Sequence, residues 1–396
     1  MTIRGLTLIF LSLIAQLATA QNQPDFNQTF QQTFHQELKK HNIPGGTYVI
    51  LDNNKITALE TYGYVDLAKS QRVTASTVFR LASVSKTFAG TLATMLAQEN
   101  KIDLNAPVTR FVPQFALANK GAADKIQLKH VLSHSSGLLP NAYDNLLNEN
   151  WHLDKIISQF KKLKPLCPPA QCYGYQNIAY SFIEPAIEQQ IEISFADLLT
   201  QRIFEPLKMR DASIGYTAFQ QARYTAQPHI LHKRIATGHK NKKGQKTYNY
   251  LWKGVKVKPS YYKVAPAAGV NASILDLAKW LAANLGHNPE VISPAVINET
   301  AIPRIQTKKD MRRRLWRKHL KNASYGYGWR IYQLADYKVV YHSGWVQGFR
   351  ADIGYSPELG IGFAMLVNAE TNAVNKLSRD FWTQAHQLKT KQNTRL

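Results

Sequence analysis

Residues 79–99 read FRLASVSKTFAGTLATMLAQE. An apolar, strand-like entry runs into an apolar helix, Ser83 stands at the join, and Lys86 follows one turn later. A serine near a helix start is ordinarily a cap, and a cap gives no reason for a lysine on the same helical face. The second reading is chemical. A lysine desolvated at that position has a lowered pKa and can accept the serine proton, while the helix N-terminus favours the negative charge that develops. The Ser-x-x-Lys spacing occurs three times in the chain, and only at Ser83/Lys86 does it join an apolar strand to an apolar helix. Ser158/Lys161 lies in the polar stretch IISQFKKLK and Ser260/Lys263 in the basic loop KPSYYKVAP.

Outward from this stretch, Phe26, Phe30, Phe34 and Leu38 recur at helical spacing and stop at Pro44-Gly45-Gly46. TYVILD and ITALETYGYV flank the turn Asn53-Asn54-Lys55, which predicts a hairpin. Helices are expected at 84–99, about 126–133, about 152–162, 178–190 and 195–203. From about residue 326, YGYGWRIYQL, YKVVYHSGW, FRADIGYS and IGFAMLVNA read as successive antiparallel strands, and AVNKLSRDFWTQAHQL closes as an amphipathic helix. Strands at both ends of a helical middle predict an α+β fold: one antiparallel sheet flanked by helices, with an inserted all-helical lobe. The expected sheet lobe spans about 21–105 and 215–390 and the helical lobe about 106–214, with the ligand pocket between them.

The first twenty residues, MTIRGLTLIFLSLIAQLATA, carry one early positive charge, an apolar run and the small-x-small ending Ala18-Thr19-Ala20. They read as a secretory signal over 1–20, too short in its apolar run for the ~20 residues a bilayer span needs. The expected location is periplasmic or secreted, with no transmembrane segment after signal removal. In an oxidising compartment Cys167 and Cys172, the only two cysteines, can close a small disulfide loop; their spacing is no metal pattern. Lys and Arg total 49 against 26 Asp and Glu, a net charge of +23, which attracts polyanions. The charge gathers at 232–246 and 308–321, read either as solvated faces or as a patch for an anionic envelope surface. No nucleic-acid signature accompanies it, so nucleic acid is not an expected partner.

LASVSKTFAGTLATMLAQENKIDLNAPVTRFVPQF resembles the active-site segment of the penicillin-recognising serine hydrolases, in the branch of class C β-lactamases, DD-peptidases and related esterases. The resemblance implies a Tyr-x-Asn motif on the helical lobe, and Tyr175-Gln176-Asn177 matches it ahead of an apolar helix; Tyr143-Asp144-Asn145 is a competing match in a polar loop. It also implies a Lys-Thr-Gly or His-x-Gly on a sheet strand, which His342-Ser343-Gly344 supplies. The three motifs stand in the family's order, the second and third 92 and then 167 residues further on. LKHVLSHSSGLLP, PAAGVNASILDLAKWL and YGYGW fit the same family, which covers the chain after the leader. His130 and His134 stand at i, i+4, but Val131 occupies the place where a zinc-protease motif needs glutamate.

The implied roles follow. Ser83 is the nucleophile, and Lys86 and Tyr175 exchange protons with it. Asn177 holds a substrate carbonyl, His342 and Ser343 bind a carboxylate or assist proton transfer, and Gly344 lets the substrate backbone lie against the strand. The oxyanion hole is the Ser83 and Trp345 backbone N–H pair. Neither metal nor cofactor is called for, and a monomer is expected. The leading functional expectation is class C β-lactamase-type hydrolysis of β-lactams by a Ser83 acyl-enzyme. Alternatives are a DD-carboxypeptidase or penicillin-binding protein acting on peptidoglycan-derived peptides, an esterase of the same family, and a non-catalytic envelope-binding protein. Class C enzymes carry Lys where this chain has His342, which is where the sequence leaves their pattern.

Overall fold

Twelve consecutive residues, Ser85 to Leu96, are buried in the helix Ser85–Gln98. A helix that is apolar on all sides belongs inside a protein, not on its surface. Its three threonines are satisfied internally: Thr87, Thr91 and Thr94 donate their hydroxyls to the carbonyls of Val84, Thr87 and Gly90 at 2.8 Å each. This burial is what the computed structural model, which describes residues 25–241 and 244–388, builds around. The leader expected at 1–20 lies outside the described residues.

The strands are β1 (Gly45–Asp52), β2 (Lys55–Gly63), β3 (Phe79–Arg80), β4 (Ser213–Ile214), β5 (His229–Lys240), β6 (Lys246–Gly254), β7 (Val270–Ala272), β8 (Ile305–Gln306), β9 (Asn322–Tyr325), β10 (Arg330–Gln333), β11 (Lys338–Val346), β12 (Phe349–Ser356) and β13 (Ile361–Val367). Eight of them form one antiparallel sheet in the order β2-β1-β13-β12-β11-β10-β9-β8. The first hairpin joins the last strand, with Gly46 opposite Val367 and Asp52 opposite Ile361. That pairing makes the chain's two ends one layer, as the strand-helix-strand pattern predicts.

Strand alternation sends Val49 and Leu51 into a core shared with the buried helix, while Tyr48 and Ile50 face a second core on the other side. The second core is closed by the helices Phe26–Lys40 and Ala373–Gln384. Phe30 meets Tyr48, Phe363 and Phe381 edge-on at 5.1, 5.5 and 5.3 Å. The first core carries the helical segment of the chain, whose elements include Leu128–Leu132, Asp144–Asn148, Asn177–Tyr180 and Ile183–Ile191. The helix expected over 178–190 is two helices, because Pro185 has no N–H to offer the Ser181 carbonyl and the first helix ends at Tyr180. His130 is a helix cap, its Nδ1 accepting the Gln127 N–H at 3.1 Å. Of the basic run at 232–246, residues 232–240 lie in the exposed strand β5 and Lys246 opens its partner β6. No helix among the described residues is long and apolar enough to cross a membrane.

Trp280, fully buried, stacks on Phe88 of the central helix at 4.2 Å and 18°, and its Nε1 donates to Thr87 Oγ1 at 3.1 Å. The two contributions can be separated. Trp280→Phe keeps the stack and loses the hydrogen bond, a cost of about 1 kcal/mol, whereas Trp280→Ala is expected to lose about 3–5 kcal/mol through the cavity it opens. Urea unfolding midpoints at unchanged slope give both values; equal losses would show that packing is not what anchors the helix.

Candidate active site

The nucleophile candidate sits on a turn, not on the helix itself. Residues Ala82–Val84 form one 3-10 turn ahead of the helix, and Ala82 has φ of 50°, a left-handed conformation that costs a non-glycine residue about 1–2 kcal/mol. Two bonds on either side hold it there. Leu81 N–H donates to the Val270 carbonyl at 3.0 Å, and Val270 N–H donates to Ser85 Oγ at 2.9 Å. The turn leaves Ser83 half-buried, lining a cleft of about 1340 Å3 that Tyr175, Asn177 and Ser343 also line.

Lys86 is fully buried beneath this cleft. Its Nζ donates to Asn177 Oδ1 at 2.7 Å and to the Ala267 carbonyl at 3.0 Å. The Tyr175 and Tyr180 rings lie 4.7 and 5.2 Å from it. Burial pushes the amine well below the usual lysine range, the Asp144 carboxylate pulls it back up, and Arg330 lowers it further. A neutral amine has two N–H bonds and one lone pair. Both donors are occupied by acceptors here, which leaves the lone pair for a proton.

Tyr175 is placed by the loop before it. Cys167 and Cys172 are joined in a disulfide, and the following segment is pinned by the 134–141 turn: Gly174 N–H donates to the His134 carbonyl, Gln176 N–H to His134 Nδ1, and Asn141 N–H to the Tyr175 carbonyl. Burial raises the Tyr175 phenol well above its ordinary value, and its hydrogen-bonding contact with Ser83 draws it part of the way back. The phenol therefore stays protonated and can donate.

Asn177 accepts from Lys86 with Oδ1 and donates one Nδ2 hydrogen to Asp144 Oδ2 at 2.7 Å, which leaves its second N–H for a carbonyl in the cleft that it lines. Two expectations change. His342 does not reach the cleft. It is 1 % exposed, 6.4 Å from the Tyr175 ring, with Nδ1 at 2.9 Å from the Ser343 carbonyl and Nε2 at 2.9 Å from the Tyr325 hydroxyl. A carbonyl only accepts, so Nδ1 carries the proton and Nε2 accepts from Tyr325. Burial, then the nearby Arg330 and Lys86 charges, hold the ring well below its usual pKa, and a neutral, enclosed imidazole is no partner for a carboxylate. Gly344 answers to the protein's own backbone: a Cβ there would stand 2.1 Å from the Leu81 carbonyl, behind the strained turn. Ser343 and Trp345 do line the cleft, and Trp345 is 61 % exposed.

Sequence reasoning missed two groups. Asp144 belongs to the rejected Tyr-x-Asn match, yet the fold brings its carboxylate to Asn177; a lone acid in an otherwise polar loop was the available signal. Arg330 lies in YGYGWRIYQL, read only as strand, but its guanidinium lines the cleft 5.6 Å from the Tyr175 ring and pairs with the buried Asp310. No local pattern marks it.

A family model described as Beta-lactamase matches residues 30–387. Among curated relatives, Protein flp of Staphylococcus aureus (strain MW2) is 25% identical over 363 residues, 91% of this chain and 66% of the relative. Unguisins hydrolase ungD' of Aspergillus campestris is 25% identical over 355 residues, 87% of this chain and 62% of the relative. The chain thus spans slightly under two thirds of the length of these relatives. An octameric penicillin-binding protein homologue from Pyrococcus abyssi superposes with a TM-score of 0.74 at 22% identity, covering 91% of this chain and 77% of that one. A D-stereospecific amidohydrolase from Streptomyces sp. superposes at 0.69 and 20% identity, covering 88% and 95%. The first of these gives the monomer expectation no support.

The Lys86–Asn177–Asp144 chain has a measurable consequence. The Asp144 carboxylate favours the protonated form of Lys86, so replacing it by a neutral isostere lowers the Lys86 pKa. If unprotonated Lys86 is the working form, Asp144→Asn should move the acid limb of kcat/KM to lower pH, by about one unit. A limb that stays in place or moves upward would separate Asp144 from Lys86.

Proposed function

The chain belongs to the Beta-lactamase family, and from the site it carries we propose that it is a serine acyl-hydrolase working through a Ser83 acyl-enzyme on amide or ester bonds. The observation that carries this reading is the buried Lys86 amine, held by two acceptors with its lone pair left over, one turn beyond a cleft-lining serine that follows the strained Ala82. A binder has no use for that amine, and desolvating it costs stability.

In the proposed reaction Lys86 Nζ takes the Ser83 Oγ proton as Oγ attacks the acyl carbonyl carbon. Charge develops on the carbonyl oxygen, which the Ser83 and Trp345 N–H groups are assigned to hold. The tetrahedral species collapses as the Tyr175 phenol gives its proton to the leaving nitrogen or oxygen, and the proton on Lys86 returns through Tyr175. Water then attacks the ester carbon, loses its proton to the same pair and releases Ser83 and the acid. Asn177 and Asp144 position Lys86 throughout.

Substrate class follows from charge. His342, enclosed and neutral, does not replace the lysine that class C β-lactamases carry at this place, so a β-lactam is proposed as an acylating ligand and peptide-like amides or esters as the substrates turned over. The named relatives include an amidohydrolase and a hydrolase, which agrees with that choice. The leader-like N-terminus and the disulfide support an exported, periplasmic or secreted protein.

A fluorescent penicillin tests the nucleophile. Wild type, Ser158→Ala and Ser260→Ala should become labelled and Ser83→Ala should not; capture of the label by Ser83→Ala removes the assignment. The label on wild type should be released over minutes or longer, and release within milliseconds would return the reading to an efficient β-lactamase.

A further inference from the structure

The cleft that holds Ser83 is lined by eight Arg or Lys residues and three acids. Each acid is already engaged. Asp144 accepts from Asn177, Asp310 pairs with Arg330 and Arg313, and Glu370 accepts the Gly348 N–H. Among the basic residues Arg304 is paired with Glu299 outside the cleft. The remaining charge falls into two groups of lining residues, each held together by its own contacts and taken as one wall.

One wall carries Lys308, Lys309 and Arg313, backed by Arg330, whose buried Nε has no hydrogen-bond partner. The other carries Lys256 and Lys258 together with Arg80. Arg80 is 3 % exposed, stacks at 4.1 Å on Tyr262 of the turn that follows those lysines, and has both Nε and Nη2 without a partner. None of the four lysines forms an ion pair among the described residues. A guanidinium withdrawn from water is costly, and Arg80 and Arg330 both line the cleft, one in each group, where the charge of an anionic ligand would lower that cost.

We propose that this cleft is a two-walled anion groove whose substrates are acidic peptides presenting a carboxylate to each wall. The inference rests on the hydrolase reading for the role of Ser83 and adds the substrate class. It also places carboxylate recognition on Arg80, Arg330 and the flanking lysines, which the neutral His342 cannot provide. The exposed Trp345 ring, with the Arg350 guanidinium 5.2 Å from it, supplies an apolar platform on the cleft lining.

Binding to Ser83→Ala protein tests the groove without any turnover. The probes are N-acetyl-Glu-Ala-Glu-amide and its Gln-Ala-Gln analogue, titrated calorimetrically at low salt. The acidic peptide should bind at least about tenfold tighter, and the difference should shrink as salt is raised from about 0.05 to 0.5 M. Lys308→Gln/Lys309→Gln and Lys256→Gln/Lys258→Gln should each weaken the acidic peptide by about threefold or more and leave the Gln analogue unchanged. Lys161→Gln/Lys162→Gln, on the exposed surface outside the cleft, controls for bulk charge and should change neither. Equal affinities, no measurable binding of the acidic peptide at millimolar concentration, or equal loss in the control variant would each overturn the groove. Failure of penicillin labelling at Ser83 would instead overturn the hydrolase reading, so the two remain distinguishable.

Discussion

A primary amine enclosed in protein is the constraint on which the other parts depend. Lys86 has no water to solvate it, so its charged form is disfavoured and its position is dictated by the two oxygens that accept from it. One of these, Asn177 Oδ1, comes from the helical segment, and the other, the Ala267 carbonyl, comes from the segment that leads into β7. The amine therefore ties the two sides of the cleft together. Asp144 extends the tie: it fixes the Asn177 amide orientation, since a carboxylate accepts only from nitrogen. The Lys86 carbonyl is used as well, accepting from the Tyr180 hydroxyl at 2.8 Å and lying 2.1 Å from where a Cβ of Gly328 would stand.

Around that amine the backbone is packed closely enough to hold a strained turn. Ala82 stays left-handed because β7 grips Leu81 on one side and Ser85 on the other, and because β11 passes behind it at Gly344 without a side chain. A fold that supplies such restraints from two separate strands can keep a conformation that an isolated turn abandons. The same closeness explains why His342 is withdrawn. With Tyr325, Tyr175 and the Ser343 carbonyl around it, the imidazole spends both ring nitrogens on Tyr325 and Ser343 and cannot also serve the cleft.

The central helix, the paired ends of the sheet and the disulfide were legible in the sequence, because each depends on a local pattern: an unbroken apolar run, alternation, two cysteines near in sequence. The Ser83/Lys86 pairing could be read from its local pattern and Tyr175 from the motif that the resemblance implies, and the structure brings the three together at one cleft. Asp144 and Arg330 were not legible. Their importance arises from partners 33 residues away for Asp144 and 20 residues away for Arg330, and a single side chain in a polar loop or a strand carries no mark of such contacts. His342 failed in the opposite sense: the motif is present, but whether the ring faces the cleft depends on strand twist and on Tyr325, neither of which a three-residue pattern encodes.

Charge is distributed in a way that follows from this enclosure. Near the amine, a further positive charge would depress the lysine without serving the substrate, and the third motif carries a neutral imidazole instead of a second ammonium. Arg330 is tolerated there only with Asp310 against it. Farther out, where water screens one lysine from the next, positive charge can accumulate without that penalty, and the cleft lining does accumulate it. On the proposed reading, a substrate's anionic groups are attracted along the cleft lining while its carbonyl meets an amine whose charged form burial disfavours. Separating the two tasks in space lets one cleft lining be strongly cationic while burial disfavours the charged form of the amine at its floor.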